Sequence, residues 1–340
     1  MIAVTGATGL LGSHLLFELT NSGHSVIAVQ REGSSVDHIP RIFGYYSDRS
    51  EELLSRIQWV SVDLMDRLDI EEKLSGVTHL YHCAAMVSFR PTDANRILDI
   101  NAGMTANLVN WAIATGLEKM VHVSSIAALG REKDNRKLIT EETYWKNSPD
   151  NSRYAVSKYS AELEIWRGVE EGLNAVIVNP GIILGPGRWD ESSSHLIHRM
   201  AKGFPFYSKG ENGFVDVRDV VDVMMRLMNS GIRSQRYLLV SENMVYKDLF
   251  FKIADLAGSK RPWIDPPMWL TGMVWRFEWL RFWLTGSDPL VTKETSRSAR
   301  GIYRYSNEKV KRELDFTFRS MDETLKDTVD RWKQDHSITS

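Results

Sequence analysis

The chain has 340 residues, 43% of them hydrophobic, and a formal net charge of -2 at pH 7. This length exceeds the size at which single cores usually stop growing, so we expect one large domain or two closely joined ones. The charge balance offers no basic surface and argues against nucleic acid as the main partner. The one cysteine, Cys83, excludes an internal disulfide and suits a reducing compartment.

The chain begins with an apolar run, Ile2 to Val4, that meets a glycine-rich turn at Gly6. This arrangement leaves no room for a signal peptide, so we expect a cytoplasmic location. No stretch reaches the roughly 18 uninterrupted apolar residues of a membrane span, so we expect no integral membrane segment.

The first half of the chain alternates predicted strands with predicted helices. The β-rich runs are Ile2–Thr5, Ser25–Val29, Ile57–Val62, His79–Cys83, Met120–Ser124 and Ala175–Val178. The helical stretches are Gly12–Ser22, Ile70–Leu74, Ile97–Thr115 and Tyr154–Glu171. This alternation predicts an α/β fold, a doubly wound parallel sheet of Rossmann type with helices on both faces. Ligands of such sheets bind at the carboxyl ends of the strands.

A glycine-rich turn joins the first strand to the first helix. Its sequence is Thr5-Gly6-Ala7-Thr8-Gly9-Leu10-Leu11-Gly12. Glycines let backbone amides approach a pyrophosphate, and the helix N-terminus favours its negative charge. The spacing Gly-x-x-Gly-x-x-Gly differs from the standard fingerprint, and an ordinary turn is the alternative. The strand before it and the helix after it favour dinucleotide binding.

The residues that end the second and third strands bear on the choice of cofactor. An acidic residue after the second strand would bond an adenosine ribose and favour NAD, but Gln30 and Arg31 stand there. The guanidinium of Arg31 suits a 2'-phosphate, which favours NADP over NAD, although a solvated loop charge is the alternative. Asp63 is a candidate acceptor for the adenine amino group, and a helix N-cap is its equally weighted alternative.

Tyr154 and Lys158 are four residues apart and share one face of a predicted helix. A free phenol has a pKa of about 10, too high to release a proton readily near neutrality, and a nearby ammonium lowers it. The pair is therefore a candidate for general acid–base catalysis at a substrate oxygen. Because this spacing arises often by chance, the prediction depends on the surrounding motifs.

In this order, the motifs resemble an extended short-chain dehydrogenase/reductase of the NAD-dependent epimerase/dehydratase family. The resemblance covers almost the whole chain. It depends on Thr5–Gly12, Asp63-Leu64, His82–Ala85, Asn101 with Thr105, Val123–Ser125, Tyr154–Lys158, Asn179–Gly181, Gly185–Gly187 and Phe214–Val220.

The resemblance implies roles for three catalytic residues. Ser125 would hydrogen-bond the substrate oxygen, and Tyr154 would be the general acid in reduction and the base in oxidation. Lys158 would bond the nicotinamide ribose and depress the pKa of Tyr154. The implied chemistry is hydride transfer, in which the cofactor does the difficult part. Ser125 and Tyr154 would stabilise the alkoxide charge as it develops.

A larger set of residues is predicted to hold the cofactor. Within it, Ala84 and Ala85 would lie against the dinucleotide, and Asn101 would support the site from its helix. The full set is Gly6, Thr8, Gly9, Leu10, Leu11, Gly12, Arg31, Asp63, Leu64, Ala84, Ala85, Asn101, Ser124, Tyr154, Lys158, Pro180 and Gly181. We predict no metal site, since no cysteine or carboxylate spacing completes one around His195 and His198.

The two residues directly after Ser125 indicate which branch of the family the chain resembles. Family 4,6-dehydratases carry an acidic pair there, whereas this chain has Ile126-Ala127. The run Asn179–Gly187 looks more like dihydroflavonol reductase and the 3β-hydroxysteroid dehydrogenases, which act on apolar carbonyls and alcohols. We therefore expect an NADP-preferring reductase or dehydrogenase of a small or medium apolar substrate. A sugar-nucleotide epimerase with tightly held NAD is the alternative, and a non-enzymatic dinucleotide sensor is a third.

We expect the dinucleotide-binding domain to comprise residues 1–178 and a smaller, interleaved α/β substrate lobe to comprise residues 179–340. The resemblance also implies a homodimer built through the helices of Asn101 and Tyr154. A tryptophan-rich segment, Pro262 to Gly286, has three competing interpretations: core packing, a wall over an apolar pocket, or contact with a membrane surface or partner. Its tryptophans are Trp263, Trp269, Trp275, Trp279 and Trp283.

Overall fold

The computed structural model describes residues 1–88, 91–93, 95–131, 137–148, 151–267 and 299–337. Ten strands are found there: β1 Ile2–Thr5, β2 Val26–Gln30, β3 Ile57–Ser61, β4 His79–His82, β5 Lys119–Val123, β6 Ala175–Pro180, β7 Ile182–Leu184, β8 Glu211–Asp216, β9 Gln235–Leu239 and β10 Glu242–Val245. The helices of this described part are α1 Leu10–Asn21, α2 Ile39–Gly44, α3 Ser50–Leu54, α4 Arg67–Lys73, α5 Arg96–Thr115, α6 Arg153–Glu170, α7 Ser192–Ala201, α8 Val217–Met228, α9 Tyr246–Ala257, α10 Glu308–Leu314 and α11 Met321–Ser337.

Seven strands form one sheet in the order β3-β2-β1-β4-β5-β6-β9, and every neighbouring pair is parallel. The chain builds outward from β1 to β3 and then returns to place β4 on the other side of β1. The strand order therefore reverses at β1 and β4, and ligands of such sheets bind in the crevice at the carboxyl ends of the strands where it reverses. The predicted Rossmann-type α/β fold is confirmed.

Both faces of the large sheet are apolar because helices cover both. Val4 and Tyr81 belong to a core that includes residues of α1 and α8. Their strand neighbours Ala3 and Leu80 belong to a second core that includes residues of α5 and α6. Adjacent strand residues thus enter opposite cores, as the alternation of side chains along a strand requires.

A second, three-stranded sheet has the order β10-β8-β7 and packs with α7, α9 and α11 around its own core. Strand β9 lies between β8 and β10 in the chain but pairs with β6 in the large sheet. The division at residue 178 stays a prediction, with the chain crossing between the two sheets several times. Trp263 is 53% exposed. The remaining tryptophans of the Pro262–Gly286 segment lie outside the described residues.

The sequence located the first-half elements to within a few residues. Helix α1 begins at Leu10 rather than Gly12, and α4 begins at Arg67 rather than Ile70. The sequence predicted no elements for residues 39–54, where α2 and α3 lie. Among the residues that the structure describes, no helix has the length and apolar character needed to cross a bilayer.

Candidate active site

The glycine-rich turn is closely packed against the end of β4. Gly6 has a φ of 67°, and a Cβ there would stand 2.7 Å from the Ala84 nitrogen. A Cβ on Gly12 would stand 2.1 Å from the Gly6 oxygen. Gly9, whose amide donates to that same oxygen at 3.0 Å, precedes α1 without a side-chain cap. The first amides of α1 are thus available to an anion, which fits a dinucleotide pyrophosphate.

Asn101, on α5, holds the loop that follows β4. Its Oδ1 accepts from the Met86 amide at 2.7 Å, and its Nδ2 donates to the Met86 carbonyl at 3.0 Å. The same Nδ2 donates to Ser157 Oγ on α6 at 3.0 Å. Just upstream, the Ala84 amide donates to Thr5 Oγ1 at 3.2 Å. Asn101 therefore ties the loop that carries Ala84 and Ala85 to the helix that carries Tyr154.

Ser125, Tyr154 and Lys158 come together at the carboxyl end of β5. The side chains of Ser125 and Tyr154 share a hydrogen bond. Ser125 Oγ also accepts from the Ala127 amide at 3.1 Å, which caps a short 3-10 turn. Lys158, one helical turn after Tyr154, is 3% exposed, and its Nζ donates to the Val123 carbonyl at 2.7 Å. The predicted helical face thus meets the predicted strand end.

Burial dominates the protonation of this group. It raises the pKa of Tyr154, and the hydrogen bond to Ser125 offsets only part of that rise. We expected the ammonium of Lys158 to lower this pKa, but burial outweighs the favourable interactions of the phenolate in this structure. Burial also lowers the pKa of Lys158 to about 8, against the opposing effects of Glu162 and Cys83. A protonated phenol beside a hydroxyl donor suits proton donation to a substrate oxygen.

Ser124 presents its hydroxyl to α6. It is 4% exposed, and its Oγ donates to Glu162 Oε2 at 2.6 Å. Asn179, on β6, donates to the same oxygen at 2.8 Å and to the Ser125 carbonyl at 3.1 Å. Sequence reasoning missed Glu162, although its position four residues after Lys158 and eight after Tyr154 placed it on the same helical face. That Ser124 binds the cofactor stays a prediction.

The residues expected to contact the adenosine half lie at the ends of β2 and β3. Arg31 is exposed directly after β2. The neighbouring Gln30 Oε1 is buried and has no hydrogen-bond partner within the described part of the chain. Asp63 Oδ1 accepts from the Met65 amide at 2.9 Å. The N-cap alternative for Asp63 is wrong, because Asp66 caps α4 by accepting from the first amides of that helix.

The other residues predicted to bind the cofactor have the following surroundings in the structure. Leu64 packs against the core beneath α5, and Leu11 is 8% exposed. The Thr8 carbonyl bonds Nε2 of His38 at 3.0 Å. Pro180 ends β6, and a Cβ on Gly181 would stand 2.5 Å from the Gly213 oxygen. In the chain segments that the structure describes, no group of three or more His, Cys, Asp or Glu could hold a metal ion.

A family model and two similar proteins each match most of this chain. A sequence model of the NAD dependent epimerase/dehydratase family matches residues 2–239. Sterol demethylase protein B of Methylococcus capsulatus is 32% identical over 278 residues, which cover 79% of this chain and 79% of that protein. A putative dihydroflavonol 4-reductase of Synechocystis is 29% identical over 345 residues, covering 98% of this chain and 94% of that one.

Solved structures share the whole fold. The crystal structure of gox2253 is 29% identical and superposes with a TM-score of 0.79, covering 99% of this chain and 98% of the other. A UDP-glucose 4-epimerase of Thermotoga maritima, solved with UDP-glucose, superposes with a TM-score of 0.75 and covers 98% of this chain and 99% of the other. Its 19% identity makes it evidence of a common fold alone.

Proposed function

The chain belongs to the NAD-dependent epimerase/dehydratase family, and on that premise we propose that it is an oxidoreductase of apolar carbonyls or alcohols. It would transfer a hydride between a nicotinamide cofactor and a substrate of small or medium size. The observation that carries this proposal is the hydrogen bond between Ser125 and Tyr154, with the buried Lys158 one helical turn away. These are the groups needed to bind and protonate an oxygen that gains negative charge.

When bound, a nicotinamide would supply the hydride for reduction of a carbonyl carbon. Tyr154 then gives its phenolic proton to the carbonyl oxygen, so that one hydride and one proton complete the alcohol. Ser125 donates a hydrogen bond to the same oxygen and stabilises its developing charge. Lys158, as an ammonium, favours the phenolate that remains. In oxidation the proton moves the other way and Tyr154 is the base.

The chain's own residues fit a dinucleotide along the crevice between β1 and β4. The amides that begin α1 would bind the pyrophosphate, with Gly6 and Gly12 giving the close approach. Ala84 and Ala85 would lie along the cofactor, and Pro180 and Gly181 would pack near the nicotinamide. For the nucleotide itself we propose NADP, since the exposed Arg31 follows β2 where an acidic residue would favour NAD.

Three basic residues of the second lobe support an apolar substrate over a nucleotide sugar. A nucleotide clamp needs available cations for its phosphates. Arg218 instead binds Asp216 at 2.6 Å, Lys209 pairs with Asp265 at 2.6 Å, and Arg188 pairs with Glu191 at 3.0 Å. The names of two similar proteins, a dihydroflavonol 4-reductase and a sterol demethylase protein, agree with an apolar substrate.

Two measurements test the proposal. Thermal-shift titration with NAD, NADH, NADP and NADPH should raise the melting temperature most with an NADP form, because a ligand that binds the native state stabilises it. A panel of apolar ketones, aldehydes and alcohols is then assayed against UDP-sugars by cofactor absorbance. Net consumption of NADPH with an apolar carbonyl supports a reductase. Co-purifying NAD and interconversion of UDP-sugars without net consumption would instead identify an epimerase.

We also propose a homodimer, built through α5 and α6. These two helices pack against each other, and Leu163 on α6 is 47% exposed. An exposed leucine on a helix of this kind suits an interface between copies. Sedimentation of the wild type and of Leu163→Glu would decide: a dimer that the charge converts to monomer is expected, and a monomeric wild type would contradict the proposal.

A further inference from the structure

Glu162 is a buried carboxylate that four donors surround. It accepts from Ser124 Oγ at 2.6 Å, Asn179 Nδ2 at 2.8 Å, Arg236 Nη1 at 3.0 Å and Trp166 Nε1 at 3.2 Å. Its side chain is 2% exposed. A charge is rarely buried so completely without compensation, and here each carboxylate oxygen receives two donors. The four donors come from three strands or strand ends and from α6 itself.

Glu162 is connected to the proposed catalytic groups both by hydrogen bonds and by its position on α6. Asn179 Nδ2 donates to the Ser125 carbonyl as well as to Glu162, and Ser124 directly precedes Ser125. On its own helix, Glu162 lies one turn after Lys158 and two turns after Tyr154. The carboxylate therefore links the backbone of the serine pair to the helix that carries the acid and the ammonium.

We propose that Glu162 is a positioning residue, which fixes the Ser124–Ser125 strand end against the Tyr154–Lys158 face of α6. This inference rests on the proposed function. Glu162 acts through Ser124 and Asn179 and touches neither substrate nor cofactor. Because a displacement of about 1 Å at a reacting centre can cost roughly 100-fold in rate, a tie of this kind affects turnover more than binding.

The same carboxylate supplies the charge that Lys158 experiences. In the described part of the chain, the titratable groups that interact with that ammonium are Glu162 on α6, His82 on β4, Cys83 after it and His122 on β5. Burial lowers the pKa of His82 to about 3 and that of His122 well below its usual value, and it raises the pKa of Cys83 to about 12. All three are uncharged near neutrality, so Glu162 remains as the anion that favours the ammonium form.

The decisive variant is Glu162→Gln, which keeps the size and one acceptor oxygen but removes the charge. The new amide would face Ser124, whose hydroxyl can turn to accept from it, while Asn179 keeps its bond to the Ser125 carbonyl. We expect kcat to fall roughly 10- to 100-fold. The KM and the cofactor Kd should change less than about threefold, because neither binding surface is altered. The alkaline limb of the pH–rate profile should move about one pH unit lower.

The matched control is Asp219→Asn on α8. Asp219 is also fully buried and paired with an arginine, Arg319, but it belongs to a different network. If the effect of Glu162→Gln is only a loss of fold stability, Asp219→Asn should lower kcat as much at a temperature where both variants are folded. Equal losses in the two variants, or wild-type kcat in Glu162→Gln, would overturn the inference.

Two further measurements keep the inference separate from the proposed function. NMR titration of isotope-labelled lysine follows Lys158 without turnover, and its midpoint should fall in Glu162→Gln; an unchanged midpoint counts against the role. A wild type without nicotinamide-dependent turnover refutes the proposed function instead. If Glu162→Gln does not fold, Ser124→Ala removes one neutral donor from the same network. Because the strand end would be held less firmly, kcat should fall roughly 3- to 10-fold in Ser124→Ala. A wild-type kcat in this variant would refute the positioning role of Glu162.

Discussion

Replacing Tyr154 with phenylalanine removes one hydroxyl and leaves the ring. Tyr154 is half-buried, and the lost group is the partner of Ser125 in their shared hydrogen bond. Ser125 Oγ keeps its bond from the Ala127 amide at 3.1 Å, so the hydroxyl of Ser125 does not lose every partner. The free energy of unfolding should therefore fall by about 1 kcal/mol, which lowers the melting temperature of a protein this large by roughly 1–2 °C.

The effect on turnover should be much larger than the effect on stability. Loss of a positioned general acid costs roughly 100- to 10,000-fold in rate, or about 3–5 kcal/mol of transition-state stabilisation. Dinucleotide affinity should stay within about threefold, because the amides of α1 and the glycine turn are unchanged. Steady-state assay with NADPH and the best substrate gives kcat, and titration calorimetry gives the cofactor Kd.

Tyr159→Phe is the matched control, since it makes the same chemical change on the same helix. Tyr159 stacks on Trp145 with ring centroids 4.5 Å apart, a contact that phenylalanine preserves. We expect near-wild-type kcat in Tyr159→Phe. Undiminished turnover in Tyr154→Phe would refute the proposed mechanism, as would equal losses in the two variants.

Three further predictions concern the cofactor, the glycine turn and the pH profile. Arg31→Asp should move the affinity ratio of NADP to NAD toward NAD, and an unmoved ratio would show that Arg31 does not bind the 2'-phosphate. Gly12→Ala should destabilise by about 1–3 kcal/mol, because its Cβ would stand 2.1 Å from the Gly6 oxygen. Differential scanning calorimetry checks this against Gly231→Ala, whose Cβ would meet nothing within 4 Å. Turnover should fall as pH rises through about 8, since burial lowers the pKa of Lys158 to about 8 and deprotonation removes its charge. Because burial raises the pKa of Tyr154, ionisation of that phenol does not cause a fall in rate near pH 8. A rate that stays level well above pH 8 would therefore contradict the role given to Lys158.

Much of the large sheet could be predicted because its signals are local. Each parallel strand is a short apolar run, and each helix comes after it with its own periodicity, so alternation along the chain is enough to indicate the fold. The glycine turn and the Tyr154–Lys158 spacing are also local, because four residues along a helix fix two side chains on one face. The short helices α2 and α3 were missed, since six and five residues give too little periodicity to recognise.

The polar interior could not be predicted in the same way. Glu162 and Arg236 are 74 residues apart in the chain, and Asn101 and Ser157 are 56 apart. Which buried donor meets which acceptor depends on how strands and helices are brought together, and no spacing along the chain encodes it. Asp66 rather than Asp63 caps α4, because the helix begins at Arg67.

The sequence by itself determined that a glycine turn opens a helix after the first strand and that a phenol and an ammonium share one helical face. Only the tertiary structure decided that Ser125 meets that face, that burial raises the pKa of the phenol, and that Glu162 joins them. The physical reason is that periodicity is a property of neighbouring residues. Burial and the pairing of buried charges are properties of the packed chain.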